Sequence, residues 1–254
     1  MSIYDRPTKS LMVDWAKEHL VPGQIFRKGE PIQWFATHYP KIKLNTVAMH
    51  VEGMSTNNRV RRHHSNVKPN SEHDLFYKLG PDQYRLWVPE SDPAPVYKET
   101  MEKSADASDT EGVVVEADTD EENAEGAREF AFERDLRNYL VKNLGLIEAG
   151  LKLYEEEGII GVEFPVGGRY IDILAIDKNG GYVVIELKVS RGYDRVVGQL
   201  MRYMTWVEEK METSRPVRGI IVAKEITPDL KMAARRVPDV KLIEYEISFK
   251  LRPI

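Results

Sequence analysis

The sequence predicts an α/β (α+β) protein of two folded parts, and three observations carry that reading. In the C-terminal half, two apolar runs at 170–177 and 182–189 flank Lys178-Asn179-Gly180-Gly181, the signature of a β-hairpin. Stretches of helical, strand, helical and strand character follow, so this half is expected to be a mixed sheet flanked by helices. In the N-terminal part, three short helical stretches precede a second hairpin, the element order of a winged helix. Between the two parts, residues 101–130 hold 2 Lys+Arg against 11 Asp+Glu in a low-complexity run, a linker by composition. The expected divisions are 1–90, a linker over 91–127, and 128–254.

Lys9–Leu20 has apolar residues at helical spacing and stops at Val21-Pro22-Gly23. Gln24–Phe26 reads as a short strand. Pro31–Tyr39 opens with a proline suited to a first helical turn and is closed by Pro40. Asn45 or Thr46 caps a third helix running to about Met54. A basic stretch leads to Leu75–Leu79 and Gln83–Val88, which flank Gly80-Pro81-Asp82 and form the second hairpin. In a winged helix the third helix enters the major groove, so Thr46, Met49 and His50 are expected to face bases. Arg59, Arg61, Arg62 and Lys68 are expected to reach phosphates. The plainer alternative is a small interaction domain with a solvated Arg/His loop. Trp15, Trp34, Phe35 and Trp87 are expected in the core.

In the second half, residues 128–144 read as a helix with Phe132, Leu136, Tyr139 and Leu140 on one side. Glu133 lies on its flank, and Arg134 and Arg137 are placed to touch DNA. Residues 150–168 read as strand and turn. After the central hairpin come a helix at Arg195–Trp206, a strand at Val217–Ala223, a helix at Pro228–Arg236 and a strand at Val240–Tyr245.

The central hairpin carries the chemistry. Alternation puts Glu186 and Lys188 on one face of their strand. A three-residue loop sets Asp172 opposite Lys188, and a two-residue loop does so only through a bulge. Either way, two carboxylates and a lysine converge at one end. Two acids on an apolar hairpin are costly unless compensated. A divalent cation does this: Mg²⁺ takes one or two carboxylates and fills its shell with water and phosphate oxygens. It activates that water and neutralises charge on phosphorus, while Lys188 lowers the pKa of the water or holds the phosphate. The bland reading is a wet strand with a Glu–Lys pair. Arg169 is a phosphate ligand or a surface arginine.

The flanking residues bear on that choice. Asp172, the Glu186-Leu187-Lys188 triplet, and Gln199 and Tyr203 four residues apart on one helix face resemble the PD-(D/E)xK nuclease superfamily in its RecB-like branch. Glu133 matches that branch's first acid. The proline of the superfamily name is absent, since Tyr170-Ile171 precede Asp172. The whole of about 128–254 is similar to the catalytic domain of NucS (EndoMS) endonucleases in Asn143–Gly150, the hairpin, GQLMRYM and RGIIVA at 218–223. The resemblance implies a restriction-endonuclease-like sheet on which Glu133, Asp172 and Glu186 hold Mg²⁺, with Mn²⁺ as a substitute. It implies that Lys188 assists the water, and that Gln199 and Tyr203 order the site. The front half resembles winged helix-turn-helix modules fused to restriction-type nucleases and, loosely, the HARE-HTH family.

Composition narrows the classes further. The chain has no cysteine, which excludes disulfides, thiolate catalysis and cysteine-ligated metals. All six histidines lie at or before His73, so histidine chemistry is excluded from the second half. Net charge is −5, but the acidity sits in the middle: residues 1–100 hold 14 Lys+Arg and 11 Asp+Glu, and residues 131–254 hold 20 and 19. Neither end disfavours a nucleic-acid partner. No membrane span and no export signal are expected, and a cytoplasmic setting fits. The sequence reading is therefore an Mg²⁺-dependent endonuclease of double-stranded DNA, in restriction or defence. NucS-like repair is the alternative, and a DNA-binding regulator with a silent nuclease fold is the rival from another class. Cutting both strands calls for two sites, so a homodimer held mainly through 128–254 is expected.

Overall fold

The structure is a computed structural model that describes residues 4–64, 67–69, 71–97, 132–189 and 195–247. In chain order the helices are α1 (Thr8–His19), α2 (Gly29–His38), α3 (Leu44–Gly53), α4 (132–142), α5 (Val196–Lys210) and α6 (Pro228–Ala234). The strands are β1 (Phe76–Gly80), β2 (Gln83–Leu86), β3 (Lys152–Leu153), β4 (Glu155–Glu156), β5 (Ile159–Ile160), β6 (Val162–Val166), β7 (Arg169–Ile176), β8 (Tyr182–Lys188), β9 (Arg218–Ala223) and β10 (Val240–Glu244). Two compact units result. One takes in Met1–Val115 together with Glu155–Ile160; the other takes in Glu116–Tyr154 and Gly161–Ile254.

The first unit is three helices and an antiparallel ribbon of β1 and β2, with Phe26 bridged to Tyr84. The inward stripe of α1 buries Leu11, Met12, Trp15 and Ala16 against Phe35, Val47, Val51, Phe76 and Tyr84. Residues 91–97 belong to this unit. Arg85 holds Asp92, the Val96 N–H donates to the Thr56 carbonyl, and the Tyr97 hydroxyl donates to Asp74. The acidic run of the expected linker lies outside the described residues.

Two expectations for this unit are overturned. Arg61 is 1% exposed. Its guanidinium donates to the carbonyls of Gly53, His73 and Val96 and to the Asp74 carboxylate. It ties loops together and reaches no phosphate. Thr46, Met49 and His50, expected to face a DNA groove, are buried at 2%, 6% and 1% exposure. The hairpin β4–β5 explains the polar part of this. Glu156 accepts from Thr46 Oγ1 at 2.9 Å and from Lys43 Nζ at 2.8 Å. Glu157 accepts the Thr8 N–H at 2.9 Å and lies 4.0 Å from His50 Nε2. Glu156 thereby satisfies Thr46 and Lys43, groups that a reading helix would have to keep for DNA.

The second unit is a six-stranded mixed sheet in the order β10-β9-β8-β7-β3, with β6 also paired to β7. β8, β9 and β10 run parallel, and β7 is antiparallel to β8. Leu136 and Leu140 of α4 pack on the face that carries Ile173, Ile185, Leu187 and Ile220. Phe132 and Tyr139, expected on the same buried side, are exposed instead at 64% and 57%. α5 covers the other face, where a side chain at Gly219 would strike Leu200 and Met204. The outer partner of β7 is one strand interrupted by an excursion. β3 leads to Tyr154, the chain makes the β4–β5 hairpin, and Gly161 returns to donate its N–H to the Tyr154 carbonyl at 2.8 Å.

The β7–β8 register differs from the expected one by two positions. Ile176 pairs with Tyr182 and Ile173 with Ile185, which brings Asp172 level with Glu186 instead of Lys188. The cause is a five-residue loop closed by its own first side chain. Asp177 Oδ1 accepts the N–H groups of Asn179 and Gly181, and Gly180 supplies the positive φ of 85°. An even shift leaves every side chain on its expected face. Among the described residues, no helix is long and apolar enough to cross a membrane.

Candidate active site

Strand β8 is an internal strand buried almost throughout, as its unbroken Tyr182–Leu187 apolar-rich run requires. Glu186 is carried into that setting at 2% exposure. Asp172 on β7 stands beside it, and its Oδ2 accepts the Leu187 N–H at 2.8 Å. Lys188 Nζ donates to Glu186 Oε1 at 3.1 Å. From α5, Gln199 Nε2 donates to the same oxygen at 2.5 Å and lies 3.2 Å from the Tyr203 hydroxyl. The one-turn spacing of Gln199 and Tyr203 aims both at the strand end. Asp172, Glu186, Lys188, Gln199 and Tyr203 are thus brought together.

Burial is the first cause of the site's electrostatics. It raises the Glu186 carboxyl, and the adjacent Asp172 raises it further, to about 8, against the pull of Lys188. Burial likewise raises Asp172, opposed by the Leu187 N–H, Lys188 and Arg137. For Lys188, burial works against the ammonium, but Glu186, Asp172 and Glu133 outweigh it, so its proton is held more tightly than usual. Tyr203 is raised by burial and then by Glu186.

Glu133 is half-buried on α4, and its charge is felt by both Glu186 and Lys188. Arg169 is exposed at the start of β7, near enough for its charge to act on Tyr203. In the first unit Arg59 and Lys68 are exposed, and the Arg62 side chain lies outside the described set. Arg134 is exposed, whereas Arg137, also expected to touch DNA, is buried in an ion pair with Glu163 at 2.9 Å and lies 3.7 Å from Asp172. Neither the role of Arg137 nor any part for Glu163 is legible in the sequence. The one hint is that Arg137 stands four residues after Glu133, on the same helix face.

The donor set can be tested against a divalent cation. Among the described residues no group of three His, Cys, Asp or Glu side chains forms a cage. Mg²⁺ needs only one or two carboxylates, and Asp172 with Glu186 meets that. Glu186 Oε2 is buried with no hydrogen-bond partner among the described residues. A buried carboxylate oxygen in that state lacks the compensation such groups require. The residues present fit a hard cation.

Residues 132–247 match the family described as endonuclease NucS C-terminal domain, so this part of the chain is similar to that domain. Residues 7–86 match a separate family described only as a domain of unknown function, DUF7669. The chain is 35% identical over 122 residues to the endonuclease NucS of Bifidobacterium animalis subsp. lactis, covering 48% of this chain and 49% of that protein. To the endonuclease NucS of Pyrococcus abyssi it is 34% identical over 100 residues, covering 39% and 36%. A solved structure, the crystal structure of a repair endonuclease from Pyrococcus abyssi, is 26% identical with a TM-score of 0.37, covering 52% of this chain and 50% of that one. The chain spans half or less of the length of these curated relatives.

Proposed function

We propose that the chain is a divalent-metal-dependent DNA endonuclease that acts in repair. The observation that carries this reading is the pairing of Asp172 with Glu186 beside Lys188, Gln199 and Tyr203, inside a segment that matches the NucS C-terminal family. Similarity to endonucleases named NucS favours repair over restriction or defence, which rested on the front half alone. The full acid, acid and lysine set disfavours a silent regulator.

In this reading Asp172 and Glu186 hold Mg²⁺ or Mn²⁺, with Glu133 as a further acid from α4. A bound ion would supply an activated water for phosphodiester hydrolysis and neutralise charge on the phosphate. Lys188 stays protonated and so holds the scissile phosphate as a cation. Gln199 fixes the rotamer of Glu186 from one side and is itself oriented by Tyr203. Arg169, exposed at the mouth, binds a neighbouring phosphate. The protein works as a cytoplasmic homodimer paired through its second unit, on double-stranded DNA.

The test is cleavage of mismatched, branched and fully paired duplexes in the presence of Mg²⁺ or Mn²⁺. Parental protein should cut a repair substrate in preference to the perfect duplex. Asp172→Ala and Glu186→Ala should reduce cutting to background while still retarding DNA in a gel. Parental rates in both variants would remove these residues from the site.

A further inference from the structure

Two groups at this site are unexplained by the chemistry above: the Arg137 guanidinium and the Glu163 carboxylate. Arg137 is 6% exposed. Its Nη2 lies 2.9 Å from Glu163 Oε1, while its Nη1 lies 3.7 Å from Asp172 Oδ1, too far for a hydrogen bond. Its buried Nε has no hydrogen-bond partner among the described residues. The other oxygen of Asp172 already accepts the Leu187 N–H, and Oδ1 is the oxygen that Arg137 faces.

Glu163 sits where it does by an unusual backbone. It lies within β6, between the pairs Val162 with Ile173 and Phe164 with Ile171, level with Asp172. Its φ is 43°, a left-handed value that a strand glutamate rarely adopts. Strained backbone persists where the surroundings over-determine it, and it clusters at functional sites. Here the strained residue is the one that meets Arg137.

We propose that Arg137 and Glu163 are a positioning pair, in which Glu163 draws the guanidinium off Asp172 and keeps Asp172 Oδ1 open to the divalent cation. A guanidinium never loses its charge and, once buried, takes an anion as partner. Two carboxylates lie within 4 Å of it, Glu163 and Asp172. With Glu163 neutralised, Asp172 is the other carboxylate of those two, and a guanidinium bonded to Oδ1 would compete with the metal for it. The inference rests on the metal-dependent reading above.

The experiment is calorimetric titration of the full chain with MnCl₂ and MgCl₂, alongside thermal melting to confirm folding. Glu163→Gln should weaken metal binding by about tenfold or more, as loss of groups that orient metal ligands does. Adding Arg137→Met to Glu163→Gln removes the competitor and should return affinity to within about threefold of parental, a recovery that coupled neighbours allow. A merely structural ion pair predicts no such rescue. Unchanged affinity in Glu163→Gln, or a double variant as weak as the single one, overturns the pair while leaving a metal-binding, DNA-cutting parental protein intact. A parental protein that binds neither ion and cuts no DNA overturns the nuclease reading itself, and the pair with it.

Discussion

Arg61 shows what one buried charge does for a small fold. Its side chain is fully buried, and its partners are three carbonyls and Asp74, which is itself largely buried. Removing the guanidinium leaves the Asp74 charge without that compensation and opens three acceptors at once. Arg61→Ala should therefore destabilise the first unit by about 3–5 kcal/mol. Tryptophan fluorescence during urea unfolding reads this directly once Trp206→Phe has left Trp15, Trp34 and Trp87, all in the first unit, as reporters. A change below about 1 kcal/mol would mean the site is solvated. The sequence placed Arg61 among phosphate readers because it stands in a run of arginines and histidines. Its partners at positions 53, 73, 74 and 96 are ordinary residues with nothing to mark them.

At the scale of elements, periodicity was legible and pairing was less so. The central hairpin, α5 with Gln199 and Tyr203, and the last β–α–β stretch follow from apolar spacing and turn residues. The register did not, because Asp177 folds its own side chain into the loop and lengthens it. The Arg137–Glu163 pair joins a helix to a strand 26 residues away through a backbone angle that no residue type announces. α4 carries a further consequence. Leu136 and Leu140 point inward, while Phe132 and Tyr139, seven residues apart and so on one helix face, remain exposed with Leu146 beyond them. We place the proposed dimer contact there. Light scattering should give twice the monomer mass for the parental protein, and Phe132→Ser with Tyr139→Ser should halve it without lowering the melting temperature. A parental monomer would leave one site per particle and a nick as the product.

Across the whole molecule, the two units respond to acid in opposite senses. In the first, burial holds His50 and His73 down to about 4 from an ordinary 6.5. The unfolded chain takes up those protons first, so this unit loses stability as pH falls from about 6.5 towards 4. In the second, burial holds Glu186 up to about 8 from an ordinary 4.5. There the folded chain binds the proton more tightly, so stability falls as pH rises through that window. Melting at pH 8, 6 and 4.5 without metal should give two transitions that move in opposite directions. The Trp206 signal, in a variant lacking the other tryptophans, should follow the second unit. Parallel movement of both transitions would discard this account. The confinement of all histidines to the first unit was plain in the sequence; that burial holds His50 and His73 below their ordinary range was not.

The β4–β5 hairpin has one more consequence, which concerns the order in which the chain is made. Residues Glu155–Ile160 complete the first unit, yet they are encoded inside the second. At translation rates of about 5–20 residues per second, the 63 residues from 97 to 160 take on the order of 3–13 s. During that interval the Thr8 N–H, Thr46 and His50 have been synthesised and the carboxylates that will meet them have not. A fragment cut after residue 97 has the same open seam permanently. Transplanting the first unit into another protein therefore means carrying the hairpin along, joined at a new point in the chain.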